Sequence, residues 1–403
     1  MNDMATGRCA IDEFSFRYLA QAQGSTGTLP LDAFEQAFQH GAPPVDDTET
    51  VDLAPLFRAV VTGTALPAGP RERLLAVLLQ VHQPMTVTPC AGYGLHASYP
   101  SPRAYYPLRF ALLEQGVRWQ VDMRRLQLRR DGSGAAGTLA LELRADFTVY
   151  APLYNLFRKA LFALEAGHFL AELAALACSA GLRIVPVVGP RALRLEVHDG
   201  GALPDWEAAL ATHRSYARER NSGRFHGGFH PAPHVLDAAG LDALYGALDA
   251  AQAALAQILP RAPRIEVRLC LRAGKDVAAG VYRASDGAPT CIDPRDPVDA
   301  CGRAYNYDNF NFRTVPAVLF LCVDQLAFHC NDATFTEMNM SLGYLNQQLI
   351  RHLSGHGLVG RPFRSYDQLA IDHLLQTCAD GQRAYYGLLV ARNRCREAWG
   401  VLR

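Results

Sequence analysis

The chain has 403 residues, 49% of them hydrophobic and 19% charged, with 39 lysines and arginines balanced by 39 aspartates and glutamates. That supplies core material for two or three domains. Zero net charge argues against a sequence-independent nucleic-acid binder, which needs a basic surface to displace counterions. The ten cysteines are scattered and none forms a Cys-x-x-Cys pair. With no basic-then-apolar N-terminal pattern and no run read as a membrane span, a reducing, cytoplasmic setting without structural zinc is expected.

Taken in order, the chain opens with an extension. Phe14-Ser15-Phe16-Arg17-Tyr18-Leu19 and a helical patch over 31–38 lead to a linker at Gly41-Ala42-Pro43-Pro44. The spacing of Leu74, Leu75, Leu78 and Leu79 predicts an amphipathic helix over 72–82. The loop Ser98-Tyr99-Pro100-Ser101-Pro102-Arg103-Ala104 precedes a strand at 105–113. Gln115-Gly116 is a tight turn into a strand at 116–121, and another strand follows at 139–143. A long helical pattern covers 154–180, Gly181 caps it, 182–188 is a strand, and 189–212 reads as a crossover.

The second half begins with three arginines, Arg218, Arg220 and Arg224, around Ser222. By composition this is a solvated helix end; by chemistry, guanidinium forks and a hydroxyl suit a phosphate. A helix over 238–259 and strands at 264–269, 280–283 and 316–322 follow. Then come a helix over 334–353, a loop at 361–367, a helix to 377 and a strand at 384–391, with Arg392, Arg394 and Arg396 after it. His226, His230 and His234 are four apart, but Gly227-Gly228 and Pro231 break any helix that would align them, so no metal site is expected. Tyr305-Asn306-Tyr307-Asp308-Asn309-Phe310-Asn311-Phe312 is either a surface loop of Asx turns or a substrate-contacting lid. No phosphate-loop or Gly-x-Gly-x-x-Gly fingerprint is present.

The halves repeat. Gly116-Val117 corresponds to Gly280-Val281, Leu164-Glu165-Ala166-Gly167-His168 to Met340-Ser341-Leu342-Gly343-Tyr344, and Gly181-Leu182 to Gly357-Leu358. A repeat of this length is a duplicated domain and implies a pseudo-two-fold molecule. The expected division is an extension over 1–50, a first half over 51–195 and a second over 196–403.

Three motifs together resemble the nitroreductase family of flavin enzymes, and within it the SagB-type azoline dehydrogenases. They are Arg220-Asn221-Ser222-Gly223-Arg224-Phe225, Pro100-Ser101-Pro102-Arg103-Ala104-Tyr105-Tyr106-Pro107, and Leu164-Glu165-Ala166-Gly167-His168. The resemblance spans about residues 50–400. It implies an α+β fold with two pseudo-symmetric halves, each a mixed or antiparallel sheet flanked by helices. It also implies FMN as cofactor, and a peptide or carrier-tethered substrate handled with partner biosynthetic enzymes.

By the same resemblance, Arg220, Ser222 and Arg224 face the cofactor phosphate, with Arg392 and Arg394 near it. Pro100, Ser101 and Arg103 come from the opposite half, and Arg364-Ser365 offers backbone N–H groups to the ring. The phosphate motif survives only in the second half, its counterpart around Arg58 to Thr64 being degenerate, and the Pro-Ser loop only in the first, its counterpart being Leu259-Pro260-Arg261-Ala262-Pro263. One flavin per chain follows, the chain being a fused pseudo-dimer that is monomeric or further oligomerised. The family's Lys-Tyr pair falls on Leu153-Tyr154, so the tyrosine is kept and the lysine is not. Tyr154 and Lys159 are the candidate catalytic residues, although Lys159 does not fall at the family lysine. Azoline oxidation leads. An NAD(P)H-driven reductase of a small molecule or dehydroamino acid and a non-catalytic scaffold stay open beside it. His168 is read as a packing histidine and Glu165 as an interface or structural carboxylate, not a base.

Overall fold

The computed structural model describes residues 30–40, 49–62, 67–84, 86–87, 95–134, 137–155, 157–189, 192–200, 205–220, 224–225, 228–229, 231–284, 289–324, 332–392 and 400–401. Two large antiparallel sheets carry the fold. In the first, the strands run in the order Thr50–Asp52, Gln127–Ser133, Val117–Asp122, Leu108–Glu114, Ala140–Ala145, Leu193–Asp199, Leu182–Val188. In the second, the order is Thr290–Asp293, Gly280–Ala284, Glu266–Leu271, Ala317–Asp324, Gln382–Arg392, Leu358–Phe363. Apart from the added edge strand Thr50–Asp52, the two orders are the same in chain sequence. The duplication seen in the glycine landmarks is thus a duplication of topology, and the fold class is α+β as expected.

Two long helices, Arg158–Ser179 and Asp332–Gly355, share one continuous core with inward residues of both sheets. The strand Ala317–Asp324 shows why its sequence is apolar throughout. Leu319, Leu321 and Val323 enter the core shared with the long helices. Val318, Phe320 and Cys322 enter a second core with Val298, Ile371 and Leu375 from the short helices Val298–Ala304 and Gln368–Leu375. A strand buried on both faces needs no polar alternation. The first sheet has one polar face instead. Along Ala140–Ala145, Leu141 and Leu143 point into the core, while Glu142 accepts hydrogen bonds from Arg118 (3.0 Å) and Arg144 (2.6 Å).

Several expectations shift. Residues 189–212 are not a plain crossover: Leu193–Asp199 is a strand paired with Ala140–Ala145 and Leu182–Val188, and Trp206–Glu219 is a helix. The expected boundary at 195/196 therefore cuts a strand of the first sheet. Gln127–Ser133 and Thr290–Asp293 are also strands: the first is mostly polar and the second only four residues long, so neither carries an apolar alternation. Arg361, Pro362 and Phe363 end a strand and do not belong to a loop. Arg158–Ser179 is, contrary to expectation, long and apolar enough to cross a membrane, but it lies mostly inside the protein. The short helix Ala33–Phe38 within the N-terminal extension is fixed to it by the buried Arg158–Glu35 ion pair at 2.9 Å. The turn at Gln115-Gly116 has φ of 50° and 79°, the geometry of a tight hairpin.

Candidate active site

A cavity of about 320 Å³ opens between the halves. The first half supplies Pro100, Ser101 and Arg103 from one loop, Tyr154 from the 3₁₀ turn Pro152–Tyr154, and Leu161, Leu164, Glu165 and His168 from the long helix. Positions 161, 164, 165 and 168 follow the three- and four-residue spacing of one helix face. The second half supplies Arg220, Tyr305, Tyr307, Phe310, Arg361, Arg364, Ser365 and Tyr386.

Arg220 caps the C-terminus of Trp206–Glu219 and is only 6% exposed. Its Nη2 donates to the Ala97 carbonyl at 3.0 Å, tying the second half to the first-half loop. Among the described residues its buried Nε has no hydrogen-bond acceptor. The helix-end reading is corrected by this burial: Arg220 is a wall of the cavity, not a solvated terminus. Ser222 and Arg394 lie outside the described residues, as do His226 and His230, and for Arg224 only a short backbone strand is described. Arg392 is exposed at the end of its strand and does not line the cavity. Lys159 does not line it either. Its Nζ pairs with Asp32 at 2.6 Å and lies over the Phe34 ring, 5.1 Å from the centroid.

Glu165, expected as an interface or structural carboxylate, lines the cavity between the halves. Its Oε2 accepts the Ser101 hydroxyl at 2.7 Å. Burial pushes the carboxyl up to about 8, against the pull of the Ser101 hydrogen bond and Arg109. It therefore stands mostly protonated at neutral pH. Among the described lining residues it is the one carboxylic acid, beside Arg103, Arg220, Arg361 and Arg364. The cavity is cationic and walled by aromatic rings.

His168 is indeed packed, but within a polar chain. Gln347 donates from Nε2 to Glu172 and to Tyr216, both at 2.6 Å, which leaves its Oε1 to accept from His168 Nδ1 at 3.0 Å. His168 Nε2 is then the acceptor for the Tyr386 hydroxyl, also at 3.0 Å. Burial pulls the imidazole down to about 3, so it is neutral. Tyr386, which the sequence did not single out, is thereby held at the cavity wall.

The rim is the aromatic segment after Val298–Ala304. Tyr305 stacks on Phe310 with centroids 4.3 Å apart, and Arg361 lies over Phe310 at 4.5 Å. The Ser365 carbonyl accepts from the Asn306 N–H at 3.1 Å, so this rim is fastened to the Arg364-Ser365 segment. Arg364 itself sits between Phe157 and Tyr385, 5.8 and 5.4 Å from their centroids.

Among solved structures, a candidate nitroreductase from Anabaena variabilis superimposes with a TM-score of 0.65, covering 94% of this chain and 99% of that one at 14% identity. The chain has the nitroreductase fold. Identity that low carries the fold and not the substrate. Two further matches cover less of this chain. One is the E. coli microcin synthetase McbBCD complex with truncated pro-MccB17 bound (15% identity, 32% of this chain, 51% of that one, TM-score 0.28). The other is NfnB, an FMN- and NADPH-dependent nitroreductase from Sphigopyxis sp. strain HMH (18% identity, 48% and 94%, TM-score 0.26). Scores at that level carry no argument. No protein-family model and no curated protein matches the sequence. In this nitroreductase fold, the cavity lies where the two halves meet.

Proposed function

We propose that the cavity holds one FMN and that the protein is a flavin-dependent oxidoreductase of peptide natural-product biosynthesis. The observation that carries this is the composition of the cavity: four arginines, one neutral carboxylic acid and aromatic walls. Guanidinium groups suit a phosphate monoester, and flat rings suit a flat heterocycle. Among the described residues the Arg220 Nε has no acceptor, and a phosphate oxygen would supply one. Arg220 and Arg224 would hold the phosphate, with Ser222 beside them, and Pro100, Ser101 and Arg364-Ser365 would flank the ring.

A bound flavin supplies hydride acceptance, with reoxidation by dioxygen. The chain's own groups do the rest. Tyr154, at the cavity wall, is the residue placed to take or return a proton at its phenol oxygen. The Tyr305, Tyr307 and Phe310 rim suits a peptide-like or carrier-bound substrate, and oxidation of thiazoline or oxazoline rings to azoles is the leading reaction. Purified full-length protein is expected to be yellow, with a flavin spectrum and slow bleaching by NAD(P)H under anaerobic conditions. Rapid bleaching would assign it instead as an NAD(P)H-driven reductase. A colourless protein that takes up no added FMN would leave only a binding role.

A further inference from the structure

We propose that Arg103 is the cation that activates Tyr154, from a loop, in the role for which the sequence preceding Tyr154 carries no lysine. The inference rests on the cavity being an active site, but the contact is independent of the cofactor's identity. Leu153 precedes Tyr154, and Lys159 is committed to Asp32 and Phe34. The Arg103 guanidinium instead lies over the Tyr154 ring, 5.5 Å from its centroid.

The loop that presents Arg103 is strained to do so. Arg103, Ala104 and Tyr106 have φ of 49°, 52° and 47°, a left-handed backbone that side-chain-bearing residues rarely adopt. The turn is braced from within. The Ser101 carbonyl accepts from the Ala104 N–H at 3.0 Å, and the Ser101 hydroxyl accepts from the Tyr106 N–H at 2.9 Å. Three such residues in four positions, held by their own hydrogen bonds, fix where one guanidinium points.

The neighbours of Tyr154 decide what that guanidinium does. Tyr105 and Tyr150 approach it edge-on, at 6.4 and 6.1 Å between centroids, and Tyr307 lines the same cavity. Burial above all, with the Tyr307 and Tyr105 phenols, holds the Tyr154 phenol above its ordinary range, and Arg103 pulls it part of the way back. Among the described residues bearing on its ionisation, Arg103 is the cation. It lowers the cost of forming the phenolate, and it is the fraction of phenolate so gained that accepts one proton from a carbon or nitrogen acid of the substrate and becomes phenol, leaving the substrate anion. Arg103 is thus a positioning residue and Tyr154 the catalytic one.

The test is nitration of the full-length protein by tetranitromethane, which reacts with phenolate. The modification rate is read at Tyr154 by peptide mass spectrometry, with remote Tyr282 as internal control. Arg103→Gln is expected to slow Tyr154 about tenfold, the phenolate lost for one unit of pKa, and Arg103→Lys to restore most of the rate. A wild-type or faster rate in Arg103→Gln overturns the proposal. So does an Arg103→Lys variant as slow as Arg103→Gln, which would mean shape and not charge. Flavin content of the same samples separates the two claims. Wild-type protein that neither carries nor takes up flavin defeats the proposed function, while the nitration ratios still decide the role of Arg103.

Discussion

Gly167 and Gly343 meet at the crossing of the two long helices, and neither has room for a side chain. A Cβ on Gly167 would stand 2.0 Å from the Met340 carbonyl oxygen, and a Cβ on Gly343 would stand 2.0 Å from the Leu164 carbonyl oxygen. The residues exchange exactly as a two-fold axis requires: Leu164 and Gly167 of one helix hold the positions of Met340 and Gly343 of the other. This reciprocity ties the repeat in sequence to a pseudo-two-fold in space.

Either Gly167→Ala or Gly343→Ala must push two backbones apart, because the obstructing atoms are main chain. Each is expected to cost about 3 kcal/mol or more, in the range of severe overpacking. Gly246, in the helix Ala238–Ile258, has nothing within 4 Å of its Cβ position. Gly246→Ala is expected to stabilise by about 0.5–1 kcal/mol. Denaturant midpoints of the three variants check both directions.

Breaking the Arg158–Glu35 pair tests the anchoring of the N-terminal helix. Both groups are buried, and Arg158 bonds both Glu35 oxygens at 2.9 Å. Arg158→Met leaves a buried carboxylate unpaired and is expected to cost about 3–5 kcal/mol. Thermal unfolding should show it, and Glu35→Gln in the same background should recover part of the loss.

Glu165 gives a pH signature. Its folded-state value is raised to about 8 from an ordinary 4.5. Below the ordinary value both states are protonated and its contribution is fully present. As pH rises from there towards 8, the unfolded chain gives up the proton and the folded chain keeps it, so stability falls. In flavin-free protein, Glu165→Gln should flatten the decline in melting temperature between pH 5 and pH 8, an effect on the order of a few kcal/mol at most. Identical pH profiles for the two proteins would show that the carboxyl ionises normally.

Arg220 and Arg58 separate the two halves' phosphate motifs. Arg58, at the position corresponding to the motif in the first half, is exposed, whereas Arg220 is buried in the cavity wall. Arg220→Ala is expected to weaken FMN binding about 10- to 100-fold, the value of a charge-assisted hydrogen bond, and Arg58→Ala to leave it unchanged. Fluorescence titration with FMN reads both.

Much of the fold was legible because hydrophobic periodicity and glycine landmarks agree. Gly181 and Gly357, with φ of 67° and 70°, end the two long helices just before their strands, as their place in the repeat predicts. The strand Leu193–Asp199 was legible too, through the alternation of Leu193, Leu195 and Val197, but a crossover expectation hid it. Gln127–Ser133 was not legible: Arg129, Arg130, Asp131 and Gly132 carry no strand signal, and the pairing with Val117–Asp122 holds them in place. In the site, motif order brought together Pro100, Ser101, Arg103, Tyr154, Arg220, Arg364 and Ser365. Motif order says nothing of partners, and so it left the surroundings of Glu165 unread. That carboxyl takes its role from burial and from a serine 64 positions earlier in the chain. Tyr386 was hidden for the same reason, since only the fold puts it against His168.

The central claim is a single flavin site made by two unlike halves. At the pseudo-symmetric position of Glu165, Ser341 turns its hydroxyl to the Glu337 carbonyl of its own helix at 2.7 Å. Calorimetric titration of flavin-free, full-length protein with FMN tests the claim most directly. One FMN per chain is the predicted stoichiometry; two per chain, or no binding, would contradict it.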